Sequence, residues 1–339
     1  MAHPCTRESL RLVRAGTTLC IRDRTYGCAA DGHNMWVSGG CWGHFKVPGA
    51  IKFMTCGHRM LQRIRNPSGH RVNCSILWPS SVAMPAEIAK LARDLLCPSS
   101  SDCVEAYADV LRAEYAILSL HGQVLRMHAT RGDYMLPRLA REFSGVQRYR
   151  LASLQGDGNG ASAGAVVVDV GCNLGDFSIA AWRSNPSLHI LCLEPMPATF
   201  LFLRWNLQAN GVPLLTPSTF GMAGAKGGVL AMRAAATADG RTVPILYHPR
   251  MSGFGVTSAS SEDGRLRADF HVPRTRADED AAASSWRSSA PSLDLSAWLG
   301  ARDVRSLRFL KMDCGESRWV PLSSLSDISL SRSRSAALA

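Results

Sequence analysis

Apolar residues fall in short uninterrupted runs in the second half of this chain and in scattered, glycine-broken stretches in its first third. The run Val166-Val-Val-Asp169-Val170 has a single polar member, and its β-branched content predicts a parallel strand covered on both faces. Leu188–Leu193 predicts a second strand of the same kind, followed by a helix over Ala198–Leu207 and further strands at Thr219–Ala223, Gly228–Arg233 and Leu307–Leu310. Upstream, Pro85 stands at a natural first helical position, and Ile88, Leu91, Ala92, Leu95 and Leu96 recur at helical spacing until Cys97-Pro98. A second helix is predicted from Ser101-Asp102, with Glu105 as a capping-box partner and Val104, Tyr107, Leu111 and Leu118 along one stripe. Gln123–His128 predicts a strand, residues 157–164 a flexible lead-in, and Ser252–Pro291 a long loop or insertion.

The chemistry concentrates where the first strand ends. Val170 runs into Gly171-Cys-Asn173-Leu-Gly175, and the glycines stand where a chain turns tightly and lets a ligand approach its backbone. Glu194, nineteen residues after Gly175, ends the second apolar run, the place where doubly wound folds use an acid to bind ribose hydroxyls. A dinucleotide turn needs G-x-G-x-x-G, whose second glycine makes room for a pyrophosphate. Asn173 stands there instead, and the carboxylates of Asp169 and Glu194 repel a pyrophosphate but suit a cationic, ribose-bearing cofactor such as S-adenosylmethionine.

Asp169-Val-Gly-Cys-Asn173-Leu-Gly-Asp-Phe-Ser178, Leu193-Glu194-Pro195-Met-Pro-Ala-Thr-Phe200 and Asn206-Leu-Gln-Ala-Asn210-Gly211 together resemble the FkbM-type methyltransferases, a branch of the class I S-adenosylmethionine-dependent enzymes. Ser292-Leu-Asp294-Leu resembles that family's T-L-D element, and Leu310-Lys311-Met-Asp313 the start of its L-K-I-D segment, so the likeness runs from about Leu120 to Trp319. The resemblance implies O-methylation of a sugar or other small hydroxylated acceptor. In it, Gly171, Asn173 and Gly175 line the amino-acid end of S-adenosylmethionine, Asp169 acts through the turn, and Glu194 holds the ribose. Asp313 serves the acceptor side, with Lys311 paired to it. Two departures stand out: Gly315-Glu316 transposes the family's acid and glycine, and the serine-rich stretch from Ser323 shows no apolar strand where the fold continues.

Of the eleven cysteines, Cys5, Cys20, Cys28, Cys41, Cys56, Cys74, Cys97 and Cys103 lie in the first third. That gradient predicts a disulfide-stapled module joined to a reduced core, in which Cys172 and Cys192 act as small apolar side chains. Trp36-Val37-x-x-Gly40-Cys41-x-x-x-Phe45 resembles a cysteine-rich module with the mark W-V-x-x-G-C-x-x-x-F. Zinc on Cys41-x-x-His44 and Cys56-x-His58 is the competing account of these cysteines, although the spacing is not that of a standard finger. The net charge of +11 gathers before residue 150, with a cluster at His58, Arg59, Arg63, Arg65, His70 and Arg71. No stacking platform accompanies it, so a solvated surface is expected rather than a nucleic-acid partner.

The expected architecture is α/β. A Rossmann-like class I methyltransferase sheet with flanking helices, cut short at its C-terminus, follows a small cysteine-rich β module. Its divisions are 1–78 (module and basic linker), 79–118 (helical connector), 119–322 (methyltransferase domain) and 323–339 (tail). No stretch has the roughly 18 apolar residues of a membrane span. The N-terminus shows no apolar signal core, while the cysteines favour a secretory or lumenal setting. The alternatives are a decayed methyltransferase fold that binds a glycan or surface, and a nucleotide-dependent oxidoreductase, which the missing glycine disfavours.

Overall fold

The computed structural model describes residues 5–16, 19–48, 50, 54–56, 72–76, 78–79, 84–96, 112–120, 123–133, 135–136, 139, 151–155, 164–222, 224–247, 252, 256–257, 286–312, 329–330 and 336–338. They belong to two compact units, Met1–Met84 with Ala108–Arg148 and Pro85–Tyr107 with Tyr149–Ala339.

The first unit is built from short strands: β1 (Arg11–Ala15), β2 (Tyr26–Cys28), β3 (Asn34–Val37), β4 (Gly43–Lys46), β5 (Met54–Cys56), β6 (Val72–Ser75), β7 (Trp78–Pro79), β8 (Glu114–Leu120) and β9 (Gln123–Ala129). They form three three-stranded sheets, β1-β4-β5, β2-β3-β6 and β7-β8-β9. Strands this short bury little surface, and crosslinks make up for it. Disulfides join Cys5 to Cys28, Cys20 to Cys41, and Cys56 to Cys74. Those bonds occupy the sulfurs of Cys41 and Cys56, so neither is a zinc thiolate here. The W-V-x-x-G-C-x-x-x-F residues have packing roles: Val37 and Phe45 are fully buried, and Phe45 lies 5.1 Å from the Tyr26 ring. Trp36 Nε1 donates to the Cys28 carbonyl, tying β3 to β2.

The second unit opens with helix α1 (Ala86–Leu96), whose buried Ile88, Ala92 and Leu96 repeat at helical spacing. Then come β10 (Val166–Val170), α2 (Asp176–Ser184), β11 (His189–Leu193), α3 (Pro197–Ala209) and β12 (Gly228–Met232). The chain continues through β13 (Ala235–Ala236), β14 (Val243–Tyr247), β15 (Val256–Thr257), β16 (Trp286–Ala290), β17 (Ser292–Leu293) and α4 (Leu295–Gly300). It ends with β18 (Ser306–Leu307), β19 (Phe309–Met312), β20 (Ser329–Leu330) and β21 (Ala336–Leu338). Five strands make a sheet in the order β12-β11-β10-β19-β21, with every neighbouring pair parallel. Every residue of β10 and β11 is buried, as runs without alternation require. Asp294 caps α4 by accepting the Ala297 N–H at 3.0 Å, which gives the Ser292-Leu-Asp294 element a local structural role.

Several expectations are corrected. Leu118 lies in strand β8 rather than on a helical stripe, and β8 pairs with β9 along its whole length, so the Gln123–Ala129 strand belongs to the first unit. A division at residue 118 would cut that hairpin. Residues 217–221 form turns rather than a strand, and Phe220 is buried there through ring contacts with His189 and Trp298. The tail, read as lacking an apolar strand, carries two short ones: β20 pairs with β18, and β21 adds to β19 at the end of the main sheet. Within the Ser252–Pro291 segment, β15 and β16 flank β14 in an antiparallel sheet. The basic cluster at residues 58–71, the helix expected at Ser101–Leu111, and Cys97 and Cys103 fall outside the described residues. Among the described residues no helix is long and apolar enough to cross a membrane.

Candidate cofactor site

The strand order places the site. The chain leaves β10 for β11 on one side and reaches β19 on the other, so the order reverses between β10 and β19. In open parallel sheets a crevice opens at such a switch point, beyond the carboxyl ends of the strands. Gly171–Gly175 leaves β10 at that end, Glu194 follows the last residue of β11, and Lys311 lies in β19.

The turn has a left-handed backbone at three positions, with φ of 75° at Gly171, 51° at Asn173 and 89° at Gly175. Asparagine tolerates that region better than most side chains. The rest is fixed by hydrogen bonds. The N–H groups of Gly171 and Cys172 both donate to the Leu193 carbonyl, at 3.0 and 3.1 Å. Asn173 N–H donates to Glu194 Oε2 at 2.9 Å, and fully buried Asn206 donates from Nδ2 to the Leu174 carbonyl at 2.9 Å. A Cβ at Gly175 would meet Leu203 Cδ1 at 2.6 Å as well as strain the backbone. Gly175→Ala is therefore expected to cost about 2 kcal/mol, read as a lower melting temperature of the whole chain.

Glu194 is 2 % exposed, and both its oxygens accept backbone N–H groups, Oε2 from Asn173 and Oε1 from Met196 at 3.0 Å. Burial pushes its carboxyl up to about 7, against the N–H groups of Met196 and Asn173 and the charge of Lys311, which all favour the ionised form. The carboxylate thus braces the turn, and each of its oxygens has a further lone pair beyond these bonds.

Asp169 is the one polar residue of β10, and it is fully buried. The register sets it beside Lys311 of β19. Lys311 Nζ donates to Asp169 Oδ1 at 2.8 Å and to the Gly171 carbonyl at 3.2 Å, while Ser178 Oγ donates to Asp169 Oδ2 at 2.7 Å. Lys311 is itself 4 % exposed.

Of the residues picked out in the sequence, Asp169, Gly171, Asn173, Gly175, Glu194 and Lys311 come together around one turn. Asp313 lies outside the described residues. Lys311, expected beside Asp313 on the acceptor side, donates to Asp169. Cys172 and Cys192, expected as free apolar thiols, are joined by a disulfide between the turn and β11. Ser178 and Asn206 carry structural bonds of the site that sequence reasoning left unassigned; the signal is a polar side chain among the mostly apolar buried residues of each helix.

No family model and no solved structure matches the chain. An 87-residue segment is 31% identical to Methyltransferase sdnD of Sordaria araneosa, covering 26% of this chain and 29% of that protein. The chain is thus related, over a stretch that is a minor part of both proteins, to a methyltransferase.

Proposed function

We propose that this protein is an S-adenosylmethionine-dependent methyltransferase of the FkbM-like, Rossmann-type class, acting on a hydroxyl of a sugar or other small acceptor. One observation carries the reading: a left-handed turn at the sheet's switch point is closed by a carboxylate from the next strand and presents an unused acceptor. Asn173 Oδ1 is buried and has no hydrogen-bond partner among the described residues. A buried acceptor left so is costly, and an ammonium donor such as the amino group of the cofactor's methionine part would satisfy it. The donor set fits in other respects too, since the remaining lone pairs of Glu194 suit the two ribose hydroxyls and its carboxylate, once ionised, favours a cation over a pyrophosphate, the charge of Asp169 being taken up by Lys311.

When bound, S-adenosylmethionine supplies an electrophilic methyl group on a sulfonium. The protein's part is alignment. Gly171 and Gly175 let the backbone come close, Asn173 and Glu194 fix the two ends of the cofactor, and Asp313 is assigned to the acceptor hydroxyl as a base or polarising group. The four disulfides among the described residues suit an oxidising compartment, which we take as the protein's setting. Incubation with methyl-labelled S-adenosylmethionine and a panel of sugars tests the activity. Label is expected in a sugar ether, with S-adenosylhomocysteine released in equal amount. Binding without transfer to any acceptor would favour a glycan-binding module on a methyltransferase fold.

A further inference from the structure

We infer that Lys311 is a positioning residue of the cofactor turn: its single ammonium joins the Asp169 carboxylate to the Gly171 carbonyl and so fixes where the turn presents Asn173 and Glu194. The inference rests on the S-adenosylmethionine reading above and moves Lys311 from the acceptor side of the site to the cofactor side.

A lysine in the interior of a parallel sheet needs a reason, because an ammonium taken from water is expensive unless it is paired and hydrogen-bonded. Here it is both. Two of its partners are the only acid of β10 and the first carbonyl after that strand, at 2.8 and 3.2 Å. The parallel register that pairs Asp169 with Lys311 puts the two side chains on one face of neighbouring strands. Asp169 is held from its other oxygen by Ser178 of α2, so one chain of contacts runs from the helix through the carboxylate and the ammonium to the turn. Phe177, stacked on Phe309 at 5.5 Å, presents its ring to the ammonium, 5.8 Å from Nζ to ring centre. Gly171 has a φ of 75°, a conformation with several nearby alternatives for glycine, and the bond to its carbonyl selects one of them.

The same ammonium acts on Glu194 through space. Among the described residues the charged groups acting on that carboxylate are Lys311, which favours its ionised form, and Asp169, which opposes it. Accepting two ribose hydroxyls besides the N–H groups of Asn173 and Met196 takes all four lone-pair sites of Glu194, which only its ionised form offers, and only that form attracts a cation. Lys311 therefore sets both the shape of the turn and the pH at which its acid becomes competent.

The test is calorimetric titration of the full chain with S-adenosylmethionine from pH 5.5 to 8.5, for wild type, Lys311→Met, Lys311→Arg and the paired variant Asp169→Asn with Lys311→Met. Lys311→Met is expected to bind at least about tenfold more weakly at pH 7, with the midpoint of its affinity profile moved upward by about one pH unit. Lys311→Arg should restore the midpoint, because the charge returns, while regaining only part of the affinity. The paired variant removes both buried charges and so avoids the uncompensated carboxylate that would endanger the fold. It is expected to keep a near wild-type midpoint and still bind about tenfold more weakly. Wild-type affinity and midpoint in Lys311→Met, or wild-type affinity in the paired variant, would overturn the assignment. If the wild type binds no S-adenosylmethionine at any pH, the reading of the site itself fails, a different outcome from the first.

Discussion

Replacing Glu194 by alanine is expected to weaken S-adenosylmethionine binding by about 100-fold or more, the largest effect of any single side chain in the site. Two hydroxyl bonds to a charged acceptor contribute about 1.5 kcal/mol or more each, and about 3 kcal/mol corresponds to a little over 100-fold in Kd. Alanine also leaves the N–H groups of Asn173 and Met196 without their acceptor, so the turn loses its brace together with its ligand contact. The wild type should show the titration of this group directly. Its carboxyl stands at about 7 when folded against an ordinary value of 4.5. Between those two values the folded state binds more protons than the unfolded chain, so stability falls as pH rises from 4.5 to 7, by about 3 kcal/mol in total. Cofactor affinity has the opposite slope: it rises with pH up to about 7 and is flat above, because the ligand selects the carboxylate. Glu194→Gln abolishes both slopes. Calorimetry across this range in wild type and variant reads the affinity, and denaturant unfolding at the same pH values reads the stability.

Asp169→Ala is the second large change, and it acts on the fold. The side chains of Lys311 and Asp169 are 5% and 0% exposed, so removing the acid strands a buried ammonium and leaves Ser178 Oγ without its acceptor. Breaking such a pair costs about 3–5 kcal/mol, where a surface pair costs about a tenth to a third of that. For a unit of this size the melting temperature should drop by about 10 °C. Asp169→Asn keeps an acceptor for Ser178 and is expected to lose less. A drop below about 2 °C for the alanine variant would mean that the ion pair is not formed in solution.

The parts of this site visible in the sequence are those fixed by local chain geometry. Val166–Val170 and His189–Leu193 are legible because a strand buried on both faces has no alternation to hide it, and Gly171 and Gly175 mark the turn because few other residues take its backbone. The partners of Lys311 are of another kind. Its contact with Asp169 spans 142 residues and exists only through the register of β10 with β19, which no local pattern encodes. The Cys172–Cys192 link likewise depends on the parallel pairing of β10 and β11. A helical stripe of four apolar residues can be drawn through Val104, Tyr107, Leu111 and Leu118, yet Leu118 stands in the part of that segment that pairs with β9. Phe220 looked like strand because it is large and apolar, yet a single buried ring between His189 and Trp298 needs no strand to hold it. The tail strands β20 and β21 have no local signature, because strands of three or fewer residues gain their pairing from the strands they meet.

Titration of the purified full chain with S-adenosylmethionine, and separately with NAD, tests the central claim most directly. A turn with Asn173 in place of a second glycine, closed by Glu194, should bind S-adenosylmethionine with a micromolar Kd at pH 7.5 and show no heat with NAD. Saturable binding of NAD, or silence with both ligands in a folded protein, would contradict the assignment of this site.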